Sequence, residues 1–141
     1  MGENRGFRGL LSWQVGMDVV ELTYKLTARF PDEERYGLVS QMRRAAVSSP
    51  SNVAEGYPTN APKWTLRFIT TAIGSSFELD TQLEAAIRLQ FCTVPEATPL
   101  REQVDRLQKL LYGMKREKER KLLSASAGIS VALLLLFRVL A

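Results

Sequence analysis

Hydrophobic residues recur every three or four positions along four segments of the chain, which is the spacing of amphipathic helices. Two such stripes run along the first segment, which begins near Ser12 as a candidate N-cap, and they lie on roughly opposite sides of the helix. They comprise Trp13, Met17, Val20, Tyr24 and Thr27 on one side, and Val15, Val19, Leu22 and Leu26 on the other. A helix that is apolar on two sides needs two partners. We therefore expect it to contact its own bundle and a second subunit.

The second segment combines an apolar stripe with a polar ridge. Residues 30–34 predict a helix start, because proline and acidic side chains favour a first helical turn. The stripe continues only if the helix runs through Pro50, and it comprises Val39, Met42, Ala46, Ser49 and Val53. The polar ridge comprises Gln41, Arg44, Ser48, Asn52 and Glu55. This ridge is either a ligand site or a buried network in which Arg43 or Arg44 pairs with Glu55 or Glu78.

Two further helices follow a loop marked by Gly56, Pro58, Asn60 and Pro62. The third spans about residues 63–91, and its stripe is Phe68, Ala72, Ser75, Leu79, Leu83, Ala86 and Gln90. Gly74 with Ser75 and Ser76 would permit close helix approach. A capping box at residues 93–96, or a second start at residues 98–99, precedes the fourth helix. Its stripe is Leu100, Val104, Leu107, Leu111 and Met114.

Four such helices with short loops and no strand signal predict an all-α fold, an antiparallel up-down four-helix bundle over residues 12–121. Residues 1–11 carry three glycines and two arginines and are expected to form a flexible basic arm. Residues 122–141 form a hydrophobic C-terminal extension. No signal peptide is visible, so we expect a cytoplasmic protein.

The composition argues against catalysis. The chain has no histidine, which removes the commonest general base and metal ligand. Its single cysteine, Cys92, cannot form an internal disulfide or a zinc site and is interpreted as a small buried hydrophobe. Paired carboxylates such as Asp80 and Glu84 are interpreted as charged helix surface. We expect neither an enzyme nor a bound cofactor or metal.

Positive charge is concentrated near the end of the bundle. The net charge is +4, and residues 101–121 carry eight Lys or Arg against four Asp or Glu. The candidate nucleic-acid-binding residues are Arg106, Lys109, Lys115, Arg116 and Arg120. The alternative is a solvated helix face, because acidic residues stand four positions before Arg106 and Lys109. The aromatic residues lie mostly in apolar stripes, so stacking on bases is not expected.

The C-terminal extension allows three interpretations. Residues 122–137 are uncharged, which is slightly short of the roughly 20 residues that span a bilayer. The basic residues before them would suit the cytoplasmic side of a membrane anchor. The extension could equally pack within or between subunits, or be an accidental addition.

Several motifs are similar to those of one known family. They are Trp13-Gln14, residues 18–20 and 24–27, the long motif over residues 41–56, and residues 74–75 and 78–83. Together they resemble the bacterial four-helix-bundle family first noticed as reading frames in intervening sequences of large-subunit ribosomal RNA genes. Residues 58–62 depart from the family, which often has glycine, arginine and serine there, and the C-terminal extension is also unusual for it.

The resemblance implies an up-down bundle that assembles into a ring, a pentamer in relatives, with no catalytic activity. Similar proteins include the accessory subunit of diversity-generating retroelements, which binds nucleic acid and a reverse transcriptase. The first hypothesis is therefore a homo-oligomeric scaffold whose basic outer surface binds RNA, DNA or a nucleic-acid enzyme. The second is a structural or membrane-associated scaffold without nucleic-acid binding, in which residues 122–141 set its location.

Overall fold

The computed structural model describes residues 6–57 and 61–140, with side chains through residue 126. This part of the chain consists of the α-helices α1 (Leu11–Thr27), α2 (Leu38–Gly56), α3 (Pro62–Arg88) and α4 (Val94–Leu140), with 3-10 helices at Gly6–Gly9 and Asp32–Tyr36. Each α-helix packs against the next in the chain, and α1 also packs against α4. Short connections make successive helices antiparallel. The all-α four-helix bundle is thus confirmed.

The core is built mainly from the predicted stripes of α2, α3 and α4, with residues of α1 added to them. Met42, Leu83 and Leu107 have no exposed surface, and most of the stripe residues around them are also buried. Phe68 and Met114, at the ends of their stripes, are half-buried. Each fully buried aliphatic side chain of this size stabilises the fold by about 1.5–3 kcal/mol relative to an exposed one. Gln90 is the exception in the α3 stripe: it is exposed and has a φ of 62°, beyond the end of the helix.

The two stripes of α1 have different surroundings. Val15, Val19 and Leu26 are buried in the core. On the other side Met17 and Tyr24 keep 37% and 44% of their surface exposed, although Thr27 at the end of that stripe is buried. One apolar side of α1 therefore faces its own bundle, and part of the other faces solvent.

Small residues bring α2 close to both of its neighbours. The helix runs through Pro50, as its stripe required. A Cβ atom on Gly16 of α1 would lie only 3.0 Å from Cβ of Pro50. On the α3 side, the Ser49 hydroxyl donates to the Ala72 carbonyl at 2.6 Å. Gly74, by contrast, has open space around its Cβ position, so within one chain it mediates no close approach.

Two helix starts differ from the sequence prediction. Helix α1 begins at Leu11, directly after the first 3-10 helix, so Ser12 lies inside it instead of capping it. The Ser12 hydroxyl is buried and donates to Sδ of Met114 on α4 at 3.0 Å. The acidic residues after Pro31 form a 3-10 helix, and α2 begins only at Leu38. Five residues bounded by proline and glycine are too few for periodicity to separate the two helix types.

The predicted capping box at the start of α4 is confirmed. The Thr93 backbone N–H donates to Oε2 of Glu96 at 2.8 Å, and the Glu96 N–H donates to the Thr93 hydroxyl at 3.4 Å. Pro99 lies inside the helix, so the alternative second start is wrong.

Both ends of the chain extend beyond the bundle core. Residues 6–9 of the predicted flexible arm form the first 3-10 helix. In this helix the Phe7 ring packs edge-on against Trp13, with 5.5 Å between the ring centres. Residues 1–5 of the arm lie outside the described residues. Helix α4 continues to Leu140, but the side chains of residues 127–141 lie outside the description, so the role of the hydrophobic extension stays a prediction. Through residue 126, no helix has the length and apolar character needed to cross a membrane.

Candidate nucleic-acid interface

The basic residues predicted on α4 lie along its outer surface. Arg106, Lys109, Arg116 and Arg120 are exposed and Lys115 is half-buried. Carboxylates accompany two of them: Nζ of Lys109 lies 4.0 Å from Asp105, and Nζ of Lys115 lies 3.7 Å from Glu119. The α4 face therefore presents alternating charges, which weakens its attraction for a polyanion.

The polar ridge on α2 is brought together only in part. Gln41, Arg44 and Glu55 are exposed, whereas Ser48 and Asn52 are half-buried. Arg44 donates to Gln41, and the amide of Asn52 donates to the Ser48 carbonyl at 2.8 Å.

The Ser48 hydroxyl also lies 2.8 Å from the Ser75 hydroxyl, which links the ridge to α3. Among the described side chains, neither Arg43 nor Arg44 forms the predicted ion pair with Glu55 or Glu78. The expectation of a buried charged network is therefore wrong, because the bundle leaves the charged members of the ridge on the surface.

An open groove of about 670 Å³ lies between α1, the second 3-10 helix and α2. We call it the Arg–Tyr groove. It is lined by Tyr24, Arg35, Tyr36, Val39, Ser40, Arg43, Arg44, Val47 and Ser48. Three of these residues are arginines, and none carries a carboxylate. The lining of the groove is therefore positive, although Asp32, Glu33 and Glu34 precede Arg35 on the same 3-10 helix.

Arg43 is held in place in this groove. Its guanidinium lies 4.5 Å from the centre of the Tyr24 ring, within the range of a cation–π contact. Its Nε donates to the Thr27 hydroxyl at 2.9 Å, and that hydroxyl donates to the Thr23 carbonyl at 2.8 Å. Two contacts thus fix the position of this positive charge before any ligand binds.

Tyr36 is the most exposed large hydrophobic residue in the described part of the chain, with 89% of its surface accessible. With Tyr24, it gives the groove two accessible aromatic rings. Tyr24 belongs to a predicted apolar stripe, but Tyr36 does not, so the prediction that the aromatic residues lie mostly in apolar stripes fails for Tyr36. The signal that could have identified Tyr36 is its position beside Arg35, close in sequence to Arg43 and Arg44.

Other ionisable groups serve the structure. Hydrogen bonds from Arg88 and then Arg101 hold the pKa of Glu84 below its ordinary value, in a cluster that joins α3 to α4. Cys92 is buried, as predicted. Burial raises the pKa of its thiol, which makes it a poor nucleophile. Within the described residues, no group of three or more acidic or cysteine side chains could hold a metal ion.

Residues 8–113 match a protein family described as 23S rRNA-intervening sequence protein. The chain is also similar to the crystal structure of a protein of unknown function from the S23 ribosomal protein family of Bacteroides thetaiotaomicron VPI-5482. The two chains are 18% identical with a TM-score of 0.62, and the alignment covers 74% of this chain and 94% of the other. At this identity, the likeness supports the fold alone. No curated protein is significantly similar.

Proposed function

Because this chain belongs to the 23S rRNA-intervening sequence protein family, we propose that it is a non-enzymatic, homo-oligomeric protein that binds RNA. The observation that carries the proposal is the Arg–Tyr groove, where three arginines gather without a carboxylate among the lining residues. The family description connects the chain with ribosomal RNA, which makes RNA the favoured polyanion.

Arginine suits this role for a geometric reason. The guanidinium is planar, always charged and able to donate two parallel hydrogen bonds to a phosphate. Arg35 and Arg44 are exposed and can reach outwards, while Arg43 supplies a fixed positive charge between them and α1. The α4 residues Arg106, Arg116 and Arg120 would add a second, weaker attraction on another side of the bundle.

Fluorescence anisotropy with a labelled RNA tests the proposal. The Arg35→Gln/Arg44→Gln double variant should bind more weakly at low salt. Its plot of log affinity against log salt should be shallower by about 1.4 for a single strand, because two phosphate contacts are lost. Lys63→Gln/Arg67→Gln is the matched control, since both residues are exposed, lie outside the groove and carry the same two charges.

Equal binding by the double variant and the wild type would refute a role for the groove in RNA binding. If Arg106→Gln/Arg116→Gln/Arg120→Gln is the variant that loses affinity, the α4 face is the binding surface. If the wild type binds no RNA at low salt, the protein is a scaffold without nucleic-acid binding.

Self-association is the second part of the proposal, with a ring of five subunits as the expected assembly. It is supported by the half-exposed apolar side of α1, where Met17 keeps 37% of its surface exposed. Light scattering should give a mass several times that of one chain. Met17→Lys should lower this mass, whereas Asp18→Lys, on the neighbouring exposed position, should not. A nucleic-acid enzyme such as a reverse transcriptase is a further partner to test.

A further inference from the structure

We infer that the Arg–Tyr groove binds single-stranded RNA, with an unpaired base stacked on Tyr36 and the adjoining phosphates held by Arg35 and Arg44. This inference rests on the proposed RNA binding and specifies the kind of RNA that the groove accepts. It follows from the exposure of one ring and from the charges that surround it.

The Tyr36 ring is open to solvent. It is 89% exposed at the end of the second 3-10 helix, and among the described residues it packs against no other aromatic ring. An exposed ring can stack on any base, because every base has a π-face. In a duplex the bases are already stacked on one another, so such a ring finds a partner only on an unpaired nucleotide.

The arginines supply the positive charge of the groove. Arg43 already packs on Tyr24 and donates to Thr27, so its charge is fixed on one side of the groove. Arg35 and Arg44 are exposed and lie along the same groove as Tyr36. A ring in a groove that holds both exposed and fixed cations matches a chain in which bases and phosphates alternate.

The α4 face provides an internal comparison. It carries cations interleaved with Asp105 and Glu119. Its aromatic residue, Tyr112, already packs edge-on against Phe77 at 6.4 Å. That surface can contact phosphates of any strand, whereas preference for a single strand requires an accessible ring. The groove combines an accessible ring, that of Tyr36, with arginines that can contact phosphates.

The experiment compares two labelled RNAs by fluorescence anisotropy: a single-stranded oligouridine of about 12 nucleotides, a length within the range bound by single-strand domains, and a duplex of the same length. The wild-type chain should bind the single strand more tightly. Tyr36→Ala should weaken binding of the single strand about tenfold, the lower-middle part of the range for one stacked base. It should leave duplex binding unchanged, and Tyr36→Phe should retain wild-type affinity because the ring is kept.

Tyr57→Ala is the matched control, because Tyr57 is 45% exposed and lies outside the groove. Three results would each overturn the inference while leaving RNA binding intact. The wild type could bind both RNAs equally, Tyr36→Ala could bind the single strand as tightly as the wild type, or Tyr36→Ala and Tyr57→Ala could lose the same affinity. Absence of binding to either RNA would overturn the proposed function as well. Displacement of the RNA by polyglutamate, with the same dependence on Tyr36, would assign the groove to an acidic protein instead. Circular dichroism verifies that each variant is folded.

Discussion

The contact between Gly16 and Pro50 should make α1 unusually sensitive to a single added methyl group. The Cβ of an alanine at position 16 would lie 3.0 Å from Cβ, 3.4 Å from Cδ and 3.5 Å from Cα of Pro50. Carbon atoms attract best at about 3.5–4.0 Å. The proline ring is buried and rigid, so it cannot rotate away. Relief therefore requires α1 and α2 to separate.

Two opposing effects set the size of the change. Replacing glycine by alanine inside a helix stabilises it by about 0.5–1 kcal/mol, because the unfolded chain loses freedom. Overpacking a core contact costs about 1–3 kcal/mol. Gly16→Ala should therefore destabilise the bundle by about 1 kcal/mol, which lowers the melting temperature by about 4 °C for a protein of this size.

Gly74→Ala is the control, since Gly74 lies inside α3 and no atom would lie within 4 Å of the added Cβ. This variant should gain only the higher helix propensity of alanine, which raises the free energy of unfolding by about 0.5–1 kcal/mol. Both variants are melted at one protein concentration, with circular dichroism at the helical band, because self-association would couple to unfolding. An increase in stability for Gly16→Ala equal to that for Gly74→Ala would refute the steric argument.

Further variants test the capping box, the tail and the ridge. Thr93→Ala should lower the free energy of unfolding in urea by about 1 kcal/mol, since it removes the α4 cap. Hydrogen bonds from the Thr93 backbone N–H and then its hydroxyl hold the pKa of Glu96 below its ordinary 4.5. Glu96→Gln should therefore destabilise at neutral pH, with a difference that shrinks as pH falls below 4.5 and through the folded-state pKa; a constant difference would contradict this. Removing residues 122–141 should leave the melting temperature unchanged, because the described core is complete without them. Arg44→Met should melt like the wild type but bind RNA more weakly, and equal binding would favour a structural ridge.

Much of the fold was predictable because the spacing of apolar residues indicates which side of each helix is buried. Met42, Leu83 and Leu107 each lie in a stripe identified from spacing alone, and each is fully buried. Helix boundaries were less predictable. Ser12 has the right chemistry for a cap, yet the 3-10 helix before it leads directly into α1, so the serine lies one position inside the helix. Local signals compete at helix ends, and tertiary packing decides between them.

The Arg–Tyr groove was less predictable than the core because it depends on contacts between segments. Arg44 was identified on its own helix, but the contact of Arg43 with Tyr24 requires the packing of α2 on α1. The exposure of Tyr36 depends on residues 32–36 forming a 3-10 helix instead of the first turn of α2. The spacing of apolar residues does not show how two helices are positioned relative to each other. It also does not show which type of helix residues 32–36 form.

Gly37 has an influence on the groove that its size does not suggest. The Glu34 carboxylate accepts the Leu38 N–H at 2.9 Å and occupies the space that a side chain at position 37 would need. The carboxylate that precedes Arg35 in the sequence is thereby held against the first amide of α2. Any larger residue at position 37 would displace this carboxylate and remove the hydrogen bond at the start of α2. A substitution that touches no ligand would thus move a negative charge on the 3-10 helix that carries Arg35 and Tyr36.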